Sequence, residues 1–266
     1  MSVDHLGELE TRGWTIFDAD ARVQDWVDFA QPEARATMDD LAFRDWWRAG
    51  DTWFVGVNAL GNDSAGRLPG GPDLAGAAFD FVNSHAGQIA WDAAQVSVIR
   101  PGYPVQDRES DAAFRFRLNR DAAHLDGLKR AGPENRRFIG EYHRFLLGIP
   151  MVESDERASP LVVWNGSHHI LQDMLANALA GVHVDDWASV DFTQIYQQTR
   201  RKILETCERV VVHAKPGQVY LVHRHALHGI SPWQDHAVAD PVGRMIVYFR
   251  PETPDRQAWL SDAGVI

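Results

Sequence analysis

A histidine and an aspartate stand two positions apart in the segment Asp121-Ala-Ala-His124-Leu-Asp126-Gly127. On an extended backbone, residues two apart point to the same face, so this imidazole and this carboxylate can reach a single ion. Completed by a histidine from elsewhere in the chain, the pair makes the two-histidine, one-carboxylate facial triad of non-haem iron(II) sites. The triad covers one face of an octahedron and leaves three positions, enough for two oxygens of a co-substrate and for O2. The spacing is not unique: with 12 histidines and 37 acidic residues, a second such pair occurs at His183-Val-Asp185. That pair leads into Asp186-Trp-Ala-Ser-Val, a helix-start pattern, and reads as a loop and a cap rather than a metal arm.

The distal histidine must come from another strand. Gly217-Gln-Val-Tyr-Leu-Val-His223-Arg-His225-Ala-Leu-His228-Gly229 offers three candidates. The turn Lys215-Pro-Gly launches an apolar strand that ends near His223. His228-Gly229 sits where the chain bends, with glycine giving the backbone room beside an ion. His223 and His225 read equally as hydrogen-bonding neighbours of the ligands or as exposed residues.

Four pieces in order, His124-Leu-Asp126, Val163-Trp-Asn-Gly166-Ser167-His168, Gly217 through Gly229, and Gly243-Arg244-Met-Ile-Val-Tyr-Phe, resemble the phytanoyl-CoA dioxygenase family across residues 95–250. The resemblance implies an iron(II)- and 2-oxoglutarate-dependent oxygenase folded as a double-stranded β-helix, a cupin-like jelly-roll barrel. It implies ligation by His124, Asp126 and His228, because the family's last ligand follows a glycine by eleven residues, as His228 follows Gly217. It also implies that an arginine on the next strand holds the far carboxylate of 2-oxoglutarate, a task suited to the planar fork of a guanidinium. Arg244 has that place. Arg250, just before Pro251, is its rival and is expected to be exposed. Two positions depart from the family pattern: the interval from His228 to Arg244 is longer than usual, and Ile230 stands where a small polar residue is frequent.

The elements that must position these groups are short. Strands are expected at Gln95–Arg100, Arg144–Met151, Leu161–Trp164, Val210–Ala214, Gln218–His223 and Arg244–Phe249, and helices at Gln172–Gly181 and Phe192–Arg209. Phe114–Leu118 alternates apolar and basic residues like a half-buried strand. Arg115 and Arg117 on it are candidates for gripping an anionic substrate group, with a solvated face paired to acids as the equal alternative. Gly166-Ser167-His168 reads as a turn whose side chains make structural hydrogen bonds. Residues 1–94 read as mostly helical, with a surface loop at Gly61–Pro72 and a short helix at Leu74–Val82. Two helices, Asp20–Ala30 and Glu33–Arg48, would carry Trp26, Phe29, Leu41, Trp46 and Trp47 as buried anchors. No boundary is visible, so residues 1–266 are expected to form a single oxygenase domain, mainly β with flanking helices and with its barrel core at 95–250.

A chain of 266 residues, 45% hydrophobic and with ten tryptophans, can bury a sizeable core. Its formal charge of -11 argues against a nucleic-acid partner while leaving room for a small anionic ligand. No apolar run approaches the roughly 18 residues needed to cross a bilayer. Residues 1–15 lack the basic start and apolar stretch of a secretory signal, and the single cysteine, Cys207, fits a reducing cytoplasm. The expected function is hydroxylation of an unidentified small-molecule or acyl substrate with Fe(II), 2-oxoglutarate and O2, releasing succinate and CO2. The alternatives are a cupin-like metal hydrolase or isomerase, and a non-catalytic ligand-binding barrel. An arginine on the strand after the distal histidine favours the oxygenase, since a hydrolase has no need of a dicarboxylate clamp.

Overall fold

The computed structural model describes residues 3–261. Seven strands pair antiparallel into one sheet, in the order β1 (Trp14–Phe17), β10 (Val219–His223), β7 (Phe145–Pro150), β12 (Arg244–Phe249), β4 (Gln95–Ile99), β3 (Trp53–Phe54) and β2 (Trp47–Arg48). A three-stranded sheet follows the order β11 (His228–Ile230), β8 (Leu161–Trp164), β9 (Arg209–Val212), and β5 (Leu128–Ala131) with β6 (Arg136–Ile139) makes a hairpin. The core strands are runs of β-branched and aromatic residues, which suit a pleated, buried surface. Pro-Gly after β4 and Asn-Gly after β8 stop them, because neither pair continues a ladder easily.

Side-chain alternation divides the faces of the large sheet. On β12, Met245, Val247 and Phe249 join a core with Trp26 and Val27 of α2 (Ala21–Ala36) and with Phe79 and Val82 of α3 (Ala77–Ala86). Ile246 and Tyr248 point the other way, into a core shared with Leu161 and Val163 of β8 and Val212 of β9. The outer face of the small sheet, Val162 and Trp164, packs on α5 (Ser167–Leu179) and α6 (Thr193–Thr206). The layers therefore run helix, sheet, sheet, helix. Among the described residues, hydrogen bonding leaves the two sheets open rather than closing them into one ring. Fully burying a large apolar side chain stabilises by roughly 1.5–3 kcal/mol. Burial on both faces thus makes β12 a rigid base for Arg244.

Several expectations are corrected. Phe114–Leu118 is not a strand: it lies within a helix, α4 (Asp111–Arg120), capped by Ser110, whose Oγ accepts from the Ala113 amide at 3.3 Å. Within residues 1–94, expected to be mostly helical, three short strands, β1, β2 and β3, join the large sheet. One helix, α2, runs through Pro32 to Ala36, and Leu41–Trp46 is a separate 3-10 turn. The inward stripe of α2 is Val23, Trp26, Val27, Ala30 and Ala34, which leaves Phe29 off the stripe and exposed. Leu41 is also exposed, while Trp46 and Trp47 are half-buried. The remaining helices are α1 (His5–Arg12), which leads into β1, and α7 (Arg256–Leu260), whose Trp259 meets the Tyr142 ring edge-on. No helix among the described residues is long and apolar enough to cross a membrane.

Candidate metal centre

His228 opens β11, the edge strand of the small sheet, where it faces Val163 of β8. On the other side of β11 the chain segment 121–126 docks as a partial strand. The His124 amide donates to the His228 carbonyl at 2.8 Å, and the His228 amide donates back to the His124 carbonyl at 3.1 Å. Two candidate donors far apart in sequence are thus held as one hydrogen-bonded pair, and Asp126 follows two residues on. Asp121 anchors the segment. Its backbone is left-handed, at φ 53°, its carbonyl accepts from the Ile230 amide at 2.8 Å, and its carboxylate takes two 2.8 Å bonds from Arg209. Between His124 and Asp126, the Leu125 amide donates to the buried Tyr196 hydroxyl at 3.0 Å. Gly229 has a different task from the one expected. A side chain there would run into the Asp121 carbonyl and the Ala123 Cα, so glycine makes room for the docking segment rather than for an ion.

Donor atoms of His124, Asp126 and His228 lie within 4.8 Å of one another. His124 Nε2 is 3.3 Å from Asp126 Oδ1, and His228 Nε2 is 3.7 Å from Asp126 Oδ2. Each imidazole donates from Nδ1 to the carbonyl two residues earlier, His124 to Ala122 at 3.1 Å and His228 to Ala226 at 3.0 Å. That tautomer leaves the Nε2 lone pairs aimed at the shared space, as metal ligation needs. Burial pushes His228 down to about 4, so the ring is neutral at ordinary pH. Burial opposes ionisation of Asp126, yet His228, the adjacent His124 and Arg250 together hold its carboxyl well below its usual range. Two imidazoles and a carboxylate are the donor set of a facial triad.

These three residues line a cavity of about 150 Å³ together with Trp53, Gln95, Ser97, Leu146, Tyr248 and Arg250. Behind Tyr248 sits Arg244, 3% exposed, whose Nη2 donates to the Tyr248 hydroxyl at 3.0 Å. Tyr220 donates to the same hydroxyl at 2.8 Å, and Gly148 leaves the space that the Tyr220 ring occupies. Arg244 Nη1 is buried and has no hydrogen-bond partner, and none of the ion pairs among the described residues involves this arginine. A buried guanidinium without an anion is costly, so Arg244 could hold one.

The structure brings together His124, Asp126 and His228 of the expected site. Arg250 was expected at the surface but enters the cavity. His223 and His225 are buried and belong neither to the donor cluster nor to the cavity lining, with His223 against His168 and His225 against Trp259. Arg115 on α4 is exposed. Arg117 pairs with Glu109 at 3.0 Å and lies over the Trp53 ring at 5.6 Å, so it borders the cavity wall without lining the cavity. His183 is a cap, its Nδ1 accepting from the Asp185 amide at 3.4 Å. Ser167 and His168 make structural hydrogen bonds as expected, but on the first turn of α5 rather than in a free turn: Ser167 Oγ accepts from the Leu227 amide at 2.9 Å, and His168 Nε2 donates to the Glu10 carbonyl at 3.0 Å. The Asp121–Arg209 clamp and the Tyr220–Tyr248–Arg244 chain had no signal in the sequence, because each depends on strands that meet only in the fold.

No family model matches the chain, and no curated protein matches it. Solved structures do. AviO1 from Streptomyces viridochromogenes Tue57 aligns with a TM-score of 0.52 at 14% identity, covering 96% of this chain and 97% of that one, and the two share a fold. SnoK, a non-heme alpha ketoglutarate dependent carbocyclase from nogalamycin biosynthesis, aligns at 0.46 with 12% identity over 99% and 92% of the two chains. EctD from S. alaskensis with bound Fe aligns at 0.44 with 14% identity over 100% and 85%.

Proposed function

We propose that this chain, as one oxygenase domain on a jelly-roll framework, is an iron(II)- and 2-oxoglutarate-dependent oxygenase that hydroxylates a small-molecule substrate. One observation carries the reading: a two-histidine, one-carboxylate cluster lines a largely apolar cavity, and a buried arginine with an unpartnered Nη1 is hydrogen-bonded to Tyr248 of that cavity's wall. His124, Asp126 and His228 would hold iron(II), and Arg244 would hold the far carboxylate of the co-substrate. Bound iron(II) would supply O2 activation, coupled to oxidative decarboxylation of 2-oxoglutarate to succinate and CO2. The protein's own contribution is placement. Leu146, Leu161 and Trp53 keep the cavity poor in water, while the paired backbones of His124 and His228 keep the donors fixed. Asp126 supplies negative charge to the metal and fills a position that a halide would need, so the favoured outcome is hydroxylation rather than halogenation. Arg244 also weighs against a metal hydrolase, which has no use for a dicarboxylate clamp.

The experiment is anaerobic loading with iron(II), followed by addition of 2-oxoglutarate and O2 and measurement of succinate. The unmutated protein should form succinate, and alanine variants of His124, Asp126 or His228 should lose both tight iron binding and turnover. Once a substrate is in hand, its product made in excess chloride should gain one oxygen by mass. Iron that stays fully bound in His228→Ala, or a halogenated main product, would sink the reading.

A further inference from the structure

Arg250 directly follows β12, and the alternation of that strand places Arg244, Ile246, Tyr248 and Arg250 on one side. Ile246 and Tyr248 face the core between the sheets, and Arg250 lines the cavity that holds the three donors. Its backbone is pinned from both directions. The Arg250 amide donates to Asp92 Oδ1 at 3.0 Å, and the Arg250 carbonyl accepts from His143 Nδ1 at 2.9 Å. His143 is fixed in turn by a 3.0 Å contact from its Nε2 to Glu141.

The side chain of Arg250 is less satisfied than its backbone. Nη1 lies 3.8 Å from Asp126 Oδ2, near enough to feel its charge but beyond hydrogen-bond distance. Nε is buried and has no acceptor. With the side chain 18% exposed, an anion can approach through the cavity, and one that does so arrives beside Asp126. In the co-substrate reading, the anionic group at that place is the carboxylate adjacent to the keto group. Arg244 stands apart from it, behind Tyr248. The chain thus holds two guanidinium groups with unused donors on one side of one strand, and a 2-oxo dicarboxylate has two carboxylates.

We propose that Arg250 holds the carboxylate at the keto end of the co-substrate, beside Asp126, while Arg244 holds the far one. The inference rests on the co-substrate reading above and adds a residue to it. It predicts that the two arginines respond differently to a ligand that has only the keto-acid end.

The test is calorimetric binding of 2-oxoglutarate and of 2-oxobutyrate to the full chain loaded with Mn(II) in the absence of O2. 2-Oxobutyrate keeps the keto acid and lacks the far carboxylate. Arg250→Gln should weaken both ligands, each by about tenfold or more, as loss of a charge-assisted fork does. Arg244→Gln should weaken 2-oxoglutarate alone and erase its advantage over 2-oxobutyrate. Mn(II) affinity by electron paramagnetic resonance shows whether each variant still folds around its metal. Should Arg250→Gln lose Mn(II), Arg250→Lys takes its place, retaining the charge while losing the planar fork, and 2-oxobutyrate should still weaken. Unchanged 2-oxobutyrate binding in the Arg250 variants overturns the proposal, and weakening of 2-oxoglutarate alone moves Arg250 to the far end. If the unmutated protein binds Mn(II) but neither keto acid, the co-substrate reading itself fails.

Discussion

Arg244 and Gly229 show how differently single residues can serve one site. Arg244 is a buried cation with an unused donor, and its proposed worth lies in the carboxylate it would hold. Arg244→Ala should weaken 2-oxoglutarate by roughly tenfold to a hundredfold, the value of a charge-assisted pair of about 1.5–3 kcal/mol. Iron affinity should stay nearly intact, and anaerobic titration measures both. Gly229 binds nothing, and its worth is the absence of a Cβ. In Gly229→Ala the new methyl would collide with the Asp121 carbonyl, forcing the segment that carries His124 and Asp126 away from β11. A loss of at least about 2 kcal/mol in urea denaturation is expected, of the order of other steric core defects, with a parallel loss of metal. Full metal retention would show that the segment docks with slack.

At the scale of elements, legibility followed burial. The strands β4, β7, β8, β10 and β12 were readable because each is an apolar run between turn residues, and a buried face imposes that pattern. The segment 111–120 misled because none of its residues is buried, so Phe114, Phe116 and Leu118 alternate without any sheet to demand it. Its Ala, Arg and Leu content and the Ser110 cap were the better guide to a helix. The grouping of His124, Asp126 and His228 was expected from residue types and the family resemblance, and the three do lie together, whereas Arg250 was misplaced because the sequence cannot show that Asp92 and His143 pin the chain just before Pro251. The junction of α5 with the chain before His228 is testable. Ser167 Oγ is the acceptor for the buried Leu227 amide, and Ser167→Ala leaves that donor bare. The expected cost is about 1–3 kcal/mol of stability, together with weaker metal binding as His228 loosens. Unchanged denaturation would mean that another acceptor takes over.

For the whole molecule, the buried histidines set a pH dependence. Burial, followed by neighbouring positive groups, pushes His223 and His225 well below the ordinary histidine range. In the unfolded chain these rings take up protons near pH 6.5, and in the folded protein they do not. The unfolded state therefore binds more protons below that pH, and stability falls as the solution is acidified, by about 1.4 kcal/mol per pH unit for each ring. His143 acts in another window. Burial opposes its charge, but the hydrogen bond to Glu141 prevails and raises it, so its contribution is present at low pH and is lost as pH rises through its folded value. Urea midpoints of the chelator-treated protein should drop between pH 6.5 and 5, with a shallower slope in His225→Phe. An identical slope in that variant would remove His225 from the account.

The pairing of His124 with His228 also bears on how the molecule behaves among its own copies. β11 is the last strand of its sheet, and its outer amides and carbonyls would otherwise face solvent as a template for a strand from another chain. The segment 121–124 covers that edge, taking the His228 and Ile230 amides and the His228 carbonyl. The arm that carries His124 and Asp126 is therefore also a guard against self-association, latched by Asp121 to Arg209. A lesion that frees the arm uncovers a sticky strand at the moment it scatters the three candidate donors, so loss of metal binding and aggregation should arise together from a single cause.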